Sequence, residues 1–321
     1  MDVTMDQAFE SLLACPICHS DLRKGDTSYY CRSNACTQDY PLINDIPLLI
    51  TESFSTFNIS AYREQTRPSS RGLRKRLRSL IPRISANFVA SRNLQKFEEL
   101  LLHEAPCPLV LVLGGAEVGA GMEGMLRGRR VKCLETDIVI GPRTQVVCDA
   151  SYISMKAESV DGVVIQAVLE YIPDPAQAVS EIYRVLKPRG IVYSEMPFMQ
   201  DVHGGRYDFT RLTHLGHLRL YRHFSEIESG ACAGPATALA WALQNFLLSV
   251  VARPWQRDLM KVASGLLFFW LKYFDRVLAN TPGGLDAATG TFLLARKSDR
   301  VISDRELIKR YRGAVPATAI L

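Results

Sequence analysis

The stretch LVLVLGGAEVGAGMEGML, Leu109–Leu126, decides the fold. Its first five residues are continuously apolar, as expected for a strand buried on both faces of a parallel sheet. Gly114, Gly115 and Gly119 follow where that strand turns into a helix. Glycine there lets the backbone approach a ligand closely, and a helix N-terminus offers free N–H groups. Upstream, Asn93–Glu104 has helical spacing and is ended by Pro106 and Pro108. Downstream, strands are expected at Val131–Asp137, Gln145–Ala150, Gly162–Val168 and Gly190–Pro197, with a helix at Pro175–Leu186. Phe224–Cys232 and Thr291–Ala295 read as a sixth and a seventh strand. Alternation of this kind gives an α/β fold, a Rossmann-like doubly wound sheet of seven strands.

Two acids close strands of this series. Asp137 lies about 20 residues beyond the glycine loop, where a carboxylate can take both hydroxyls of a ribose. Asp149 ends the third strand, where it can face an adenine amino group. The loop alone suits a nicotinamide dinucleotide or another nucleoside equally well.

The chain has 321 residues, 47% hydrophobic and 22% charged, which excludes wholesale disorder. Its net charge of +5 is local: Tyr62–Arg83 holds eight Lys/Arg and one Glu. A protein that coats nucleic acid through a globally basic surface is therefore excluded. The basic stretch leaves open contact with RNA, contact with a lipid surface, or a solvated linker.

Four of the eight cysteines fall in one short segment: Cys15, Cys18, Cys31 and Cys36. Two Cys-bearing turns facing each other supply the four soft ligands of a structural zinc ion. His19 is adjacent to Cys18 and is not expected to be a ligand. The acidic N-terminus lacks the plan of a signal peptide, and clustered cysteines fit a reducing compartment. The expected location is cytoplasmic, with peripheral contact with the inner face of the membrane left open.

Four segments follow: a zinc-ribbon-like domain at 1–52, a basic linker at 53–90, the α/β domain at 91–300, and a C-terminal helix and tail at 301–321. The α/β domain contains a helical insertion at 236–279, too apolar for a solvated loop. It could cap the substrate pocket, form a homodimer interface or touch a membrane surface. Asp201–His217 follows the fifth strand, at the sheet edge where parallel sheets bind ligands, and carries three of the six histidines. His203 and Asp208 are the expected general bases, with Arg211 holding an acidic group of the substrate.

Leu109–Pro197 resembles the class I S-adenosylmethionine-dependent methyltransferases, of the type that includes the ubiquinone/menaquinone biosynthesis enzymes. Val160-Asp161-Gly162-Val163-Val164 with Val168-Leu169-Glu170-Tyr171-Ile172-Pro173-Asp174-Pro175 carries the resemblance, as does the turn Arg184–Gly190. The resemblance implies S-adenosylmethionine held by Gly114, Gly115 and Gly119, with Asp137 at the ribose, Asp149 at the adenine, and Gln166 and Ala167 lining the pocket. Val112 and Ala116 depart from the family's loop, and Tyr171 stands where a His is common. Cys15–Ile50 is similar to the zinc ribbon of methyltransferase-activator subunits. The expected activity is O-methylation of a small-molecule or glycan-like substrate. The alternatives are an RNA methyltransferase and a non-catalytic adaptor that binds cofactor and scaffolds a partner. RNA is disfavoured because no Asn/Asp-Pro-Pro-aromatic motif follows the fourth strand.

Overall fold

The computed structural model describes residues 5–53, 55–57 and 82–314. Most of the basic stretch Tyr62–Arg83 lies outside the described residues.

After a one-turn helix at Gln7–Glu10, the N-terminal region is an antiparallel meander of β1 (Leu22–Lys24), β2 (Ser28–Cys31), β3 (Asp39–Ile43) and β4 (Ile46–Leu49). Asn44 and Asp45 turn β3 into β4 with φ of 52° and 62°. A two-residue hairpin loop with both residues left-handed matches the twist of its strands, and Asn and Asp tolerate that conformation best after Gly.

Helix α1 (Ala90–Glu104) then leads into β5 (Leu109–Leu113), α2 (Glu123–Gly128), β6 (Lys132–Asp137), β7 (Val146–Cys148), β8 (Val160–Gln166), α3 (Pro175–Val185) and β9 (Leu186–Pro197). Helix α4 (His214–Leu220), β10 (Phe224–Ala233), α5 (Pro235–Ser249), α6 (Pro254–Phe268) and β11 (Gly290–Lys297) complete it. The strand order β7-β6-β5-β8-β9-β11-β10 is a seven-stranded doubly wound sheet, with β11 antiparallel to both neighbours. The chain's direction of winding reverses between β5 and β8. A crevice opens there beyond the carboxyl ends of the strands.

Local chemistry explains the elements. Leu94, Phe97 and Leu101 form the buried stripe of α1, and a Cβ on Gly162 of β8 would sit 2.7 Å from the Phe97 ring. Asp174 caps α3 by accepting from the N–H groups of Ala176 and Gln177, with Pro175 at the first helical position. Lys187–Gly190 is not a free turn: β9 already runs through it, with Arg189 at φ 66° and a register slip against β8. The long apolar stretch 236–279 is not one helix, because Pro254 restarts it as α6. In the C-terminal region the described helix is one turn, Asp304–Ile308, closed by a Ser303–Glu306 capping box.

The sheet does not stop at β7. Leu48 and Leu49 of β4 pair in parallel with Val147 and Cys148, which extends it to eleven strands. Ser154 Oγ donates to Leu49 O (2.9 Å), and Ala14 N donates to Ser154 O (3.0 Å). Phe9, Cys15, Tyr40 and Leu49 share one buried cluster with Leu111 and Val163. The cysteine region and the α/β sheet therefore have a common core.

Candidate active site and metal centre

A cleft of 360 Å³ lies at the reversal point, in the size range of small-ligand sites. Gly114, Asp137, Asp149, Gln166 and Ala167 all line it. Gly114 has φ +80°, and a Cβ there would lie 2.3 Å from Val168 Cγ2. At Gly119 a Cβ would lie 2.3 Å from Gln166 Oε1, and at Gly115 it would crowd the Glu135 backbone at 3.2 Å. Gly115 and Gly119 thus let the loop pack closely against Glu135 and against Gln166, one of the residues lining the cleft. Ala167, just past β8, has φ 51°, a strained position for a residue with a Cβ.

The two acids are oriented by backbone. Asp137 accepts from Ala116 N (3.0 Å) and Val139 N (2.9 Å), which ties the glycine loop to the end of β6. Asp149 accepts from Ser151 N (2.8 Å) and from the hydroxyl of Ser55 (2.7 Å). Each carboxylate oxygen keeps acceptor capacity for a ligand hydroxyl or amine. The Ser55 contact brings Phe57 over the cleft, where its ring stacks on Tyr207 at 5.5 Å. Sequence reasoning missed Ser55, Phe57 and Tyr207, because nothing local links them.

The 201–217 stretch divides into two environments. Gly204 and Tyr171 form one wall of the cleft, packed so tightly that a Cβ on Gly204 would meet the Tyr171 ring at 2.2 Å. His203 sits behind that wall, its ring 5.5 Å from Tyr171 and edge-on to it. Its Nε2 stands 3.5 Å from Oε1 of Glu170, a side chain with no exposed surface. The Glu170 carboxylate beside it raises the His203 pKa above the ordinary histidine value, against the opposing effect of burial. The side chain of Asp208 is 2% exposed and lies 2.5 Å from Arg211 Nη1, while also accepting from the N–H groups of His203 and Gly204. Burial pushes its pKa up, but Arg211 and those N–H groups outweigh it and hold the carboxyl below its usual value. Arg211 donates further to the carbonyls of Gln200, Thr210 and Asp201.

His214 and His217 are elsewhere. His217, 1% exposed, bonds Ser194 Oγ (2.9 Å) and Thr291 Oγ1 (3.0 Å), and burial pushes its pKa down to about 3. His214 bonds Ser229 Oγ at 2.8 Å. Both are core histidines: His217 has both ring nitrogens bonded, and His214 has Nε2 bonded and a buried Nδ1 without a partner among the described residues.

The four cysteines converge as their spacing suggests. Their sulfurs all lie within 4.8 Å of one another, with Cys15–Cys36 at 3.8 Å and Cys18–Cys31 at 3.4 Å. Sulfurs at about 2.3 Å around a tetrahedral zinc would be about 3.8 Å apart. The donor set therefore fits a metal ion. His19 N donates to Cys15 O (2.9 Å) at φ 57°, closing the first turn from outside the sulfur cluster. The Tyr40 hydroxyl lies 3.1 Å from Cys15 Sγ, an outer contact that fixes the ligand's orientation.

A family profile described as "Methyltransferase domain" matches residues 126–194, the span from α2 to β9. A "UPF0434 protein" of Nitrosococcus oceani is 38% identical over 56 residues, which is 17% of this chain and 92% of that relative, in the N-terminal region. Among solved structures, a SAM-dependent methyltransferase from Archaeoglobus fulgidus is 14% identical with a TM-score of 0.40, covering 66% of this chain and 95% of that one. The Burkholderia thailandensis 1,6-didemethyltoxoflavin-N1-methyltransferase is 17% identical with a TM-score of 0.37, covering 85% and 100%. The chain is a class I S-adenosylmethionine-dependent methyltransferase whose N-terminal region belongs to the UPF0434 family. No helix among the described residues is long and apolar enough to cross a membrane.

Proposed function

We propose that this enzyme methylates a hydroxyl of a small-molecule or glycan-like acceptor, with His203 as the general base. The observation that supports this most is the His203–Glu170 pair behind the Tyr171–Gly204 wall of the cleft. S-adenosylmethionine, when bound, supplies an electrophilic methyl on a sulfonium. Gly114, Asp137, Asp149, Gln166 and Ala167 would hold it, Asp137 at the ribose hydroxyls and Asp149 at the adenine. Phe57 and Tyr207 would close over the cleft and exclude water.

Methyl transfer is an in-line displacement, so the protein's tasks are alignment and removal of the acceptor's proton. His203 would take that proton at Nε2, because Nδ1 already faces the Asp201 carbonyl at 3.1 Å, and the buried Glu170 carboxylate would stabilise the imidazolium that forms. Asp208 and Arg211 are read as the brace of this loop, since each is already engaged. The four cysteines are read as ligands of a structural zinc ion.

Incubating the enzyme with isotopically labelled S-adenosylmethionine and separate metabolite, glycan and RNA extracts tests the reading by mass spectrometry. Label in a small-molecule or glycan hydroxyl is expected. Label in RNA would replace that acceptor class. Cofactor binding without turnover on any extract would favour the non-catalytic adaptor.

A further inference from the structure

The helical insertion is built inside out for a water-facing element. A surface helix normally turns its apolar stripe inward. Helix α6 does the reverse: Ser264 and Gly265 are its buried residues, and Gln244 of α5 donates to Ser264 Oγ at 2.6 Å. Four of its large apolar side chains, Leu267 among them, are exposed. Trp255, Leu259 and Leu266 are 60%, 53% and 57% exposed, and Trp270, two residues past the end of α6, is 48% exposed. Their spacing of four, seven and four residues places them on one helical face. Phe246 on α5 and Val277 beyond α6 are also exposed, at 68% and 71%. Small residues and a hydrogen-bonded amide at the helix contact, with bulky apolar groups outside, is the packing that helices adopt in lipid.

The charge of the surface selects its partner. Across 235–279, Arg253, Arg257, Lys261 and Arg276 are exposed, against one exposed acid, Asp258. The other acid, Asp275, is buried and caps α5 by accepting from the N–H groups of Ala236 and Thr237. Arg257 and Lys261 sit within the same turns as Trp255 and Leu259. A second copy of this chain would bring one cationic face against another, which disfavours self-association. An anionic lipid surface satisfies both components, with tryptophans at the headgroup level and cations at the phosphates.

We infer that α5 and α6 dock this methyltransferase onto anionic membrane surfaces, with the Trp255–Leu259–Leu266–Trp270 face in the acyl boundary. This is independent of the acceptor proposed above. The test is flotation of the full-length enzyme with phosphatidylcholine vesicles and with phosphatidylcholine–phosphatidylglycerol vesicles across a salt series, alongside the Leu259→Ser/Leu266→Ser variant. Binding to the anionic vesicles is expected, weakened by salt and by about tenfold or more in the variant. Unchanged thermal melting and cofactor affinity would show that the variant is folded. No vesicle binding would overturn the inference, as would binding that the variant retains in full. A dimer in analytical ultracentrifugation that dissociates in the variant, with no vesicle binding, would assign the face to a second copy instead.

Discussion

His203 Nε2 stands 3.5 Å from Glu170 Oε1, and neither carboxylate oxygen of Glu170 has a hydrogen-bond partner among the described residues. A buried, unpartnered carboxylate is expensive, and a neighbouring imidazolium is its natural counter-charge. That relationship makes the protonation of His203 sensitive to Glu170. As a base His203 acts in its neutral form, so kcat/KM should rise with pH through an inflection above the ordinary histidine value. Glu170→Gln should move that inflection to lower pH and reduce kcat. His203→Ala should cut kcat by about 100-fold or more with cofactor affinity nearly unchanged. A pH–rate profile identical in Glu170→Gln would remove the pair from the mechanism.

Gly114→Ala should impair cofactor binding severely. The new Cβ meets Val168 at 2.3 Å in a backbone conformation that L-residues rarely adopt. A loss of about 1–3 kcal/mol in stability is expected alongside it. Asp137→Ala should weaken S-adenosylmethionine by about tenfold or more and also loosen the glycine loop, since Ala116 N loses its acceptor. Calorimetric titration measures both, and wild-type affinity in Asp137→Ala would take that acid out of the site.

Metal analysis of protein purified without chelator should find one zinc per chain. Because Cys15 and Tyr40 belong to the same core as Leu111 and Val163, removing the metal should destabilise the whole fold, not only the N-terminal region. Chelation, or Cys18→Ser with Cys31→Ser, should lower the melting midpoint by more than about 5 °C in a single transition. Two separate transitions would contradict a shared core.

His217 makes stability fall in mild acid. Burial pushes its folded pKa down to about 3, while the unfolded chain takes the proton near 6.5. The unfolded state therefore binds more protons between those values. The contribution is fully present above pH 6.5 and is lost by about 1.4 kcal/mol per unit as pH falls towards 3. Denaturant unfolding at several pH values should show this slope, and it should flatten in His217→Gln after allowance for the lost bonds to Ser194 and Thr291.

The parts of this molecule that were legible in sequence are those written locally. Leu109–Leu113 announces a buried strand by composition alone, and Asp137 and Asp149 announce themselves by ending strands. Cys15 to Cys36 carries its own geometry in its spacing. What stayed hidden depends on contacts between distant segments. Glu170 meets His203, and Ser55 meets Asp149, only because the sheet brings loop ends together. The pairing of β4 with β7 has no local signal, since an edge strand accepts any complementary neighbour. For α6, periodicity reveals a stripe but not whether it faces inward or out. The buried Gln244–Ser264 bond resolves that.

The β4–β7 seam has a consequence for folding. Pairing Leu48 with Val147 joins segments about 100 residues apart in the chain. Contacts of such separation slow folding, because the intervening loop must be closed before the pairing rewards it. Until the seam closes, β7 is an open sheet edge that another chain's strand can occupy.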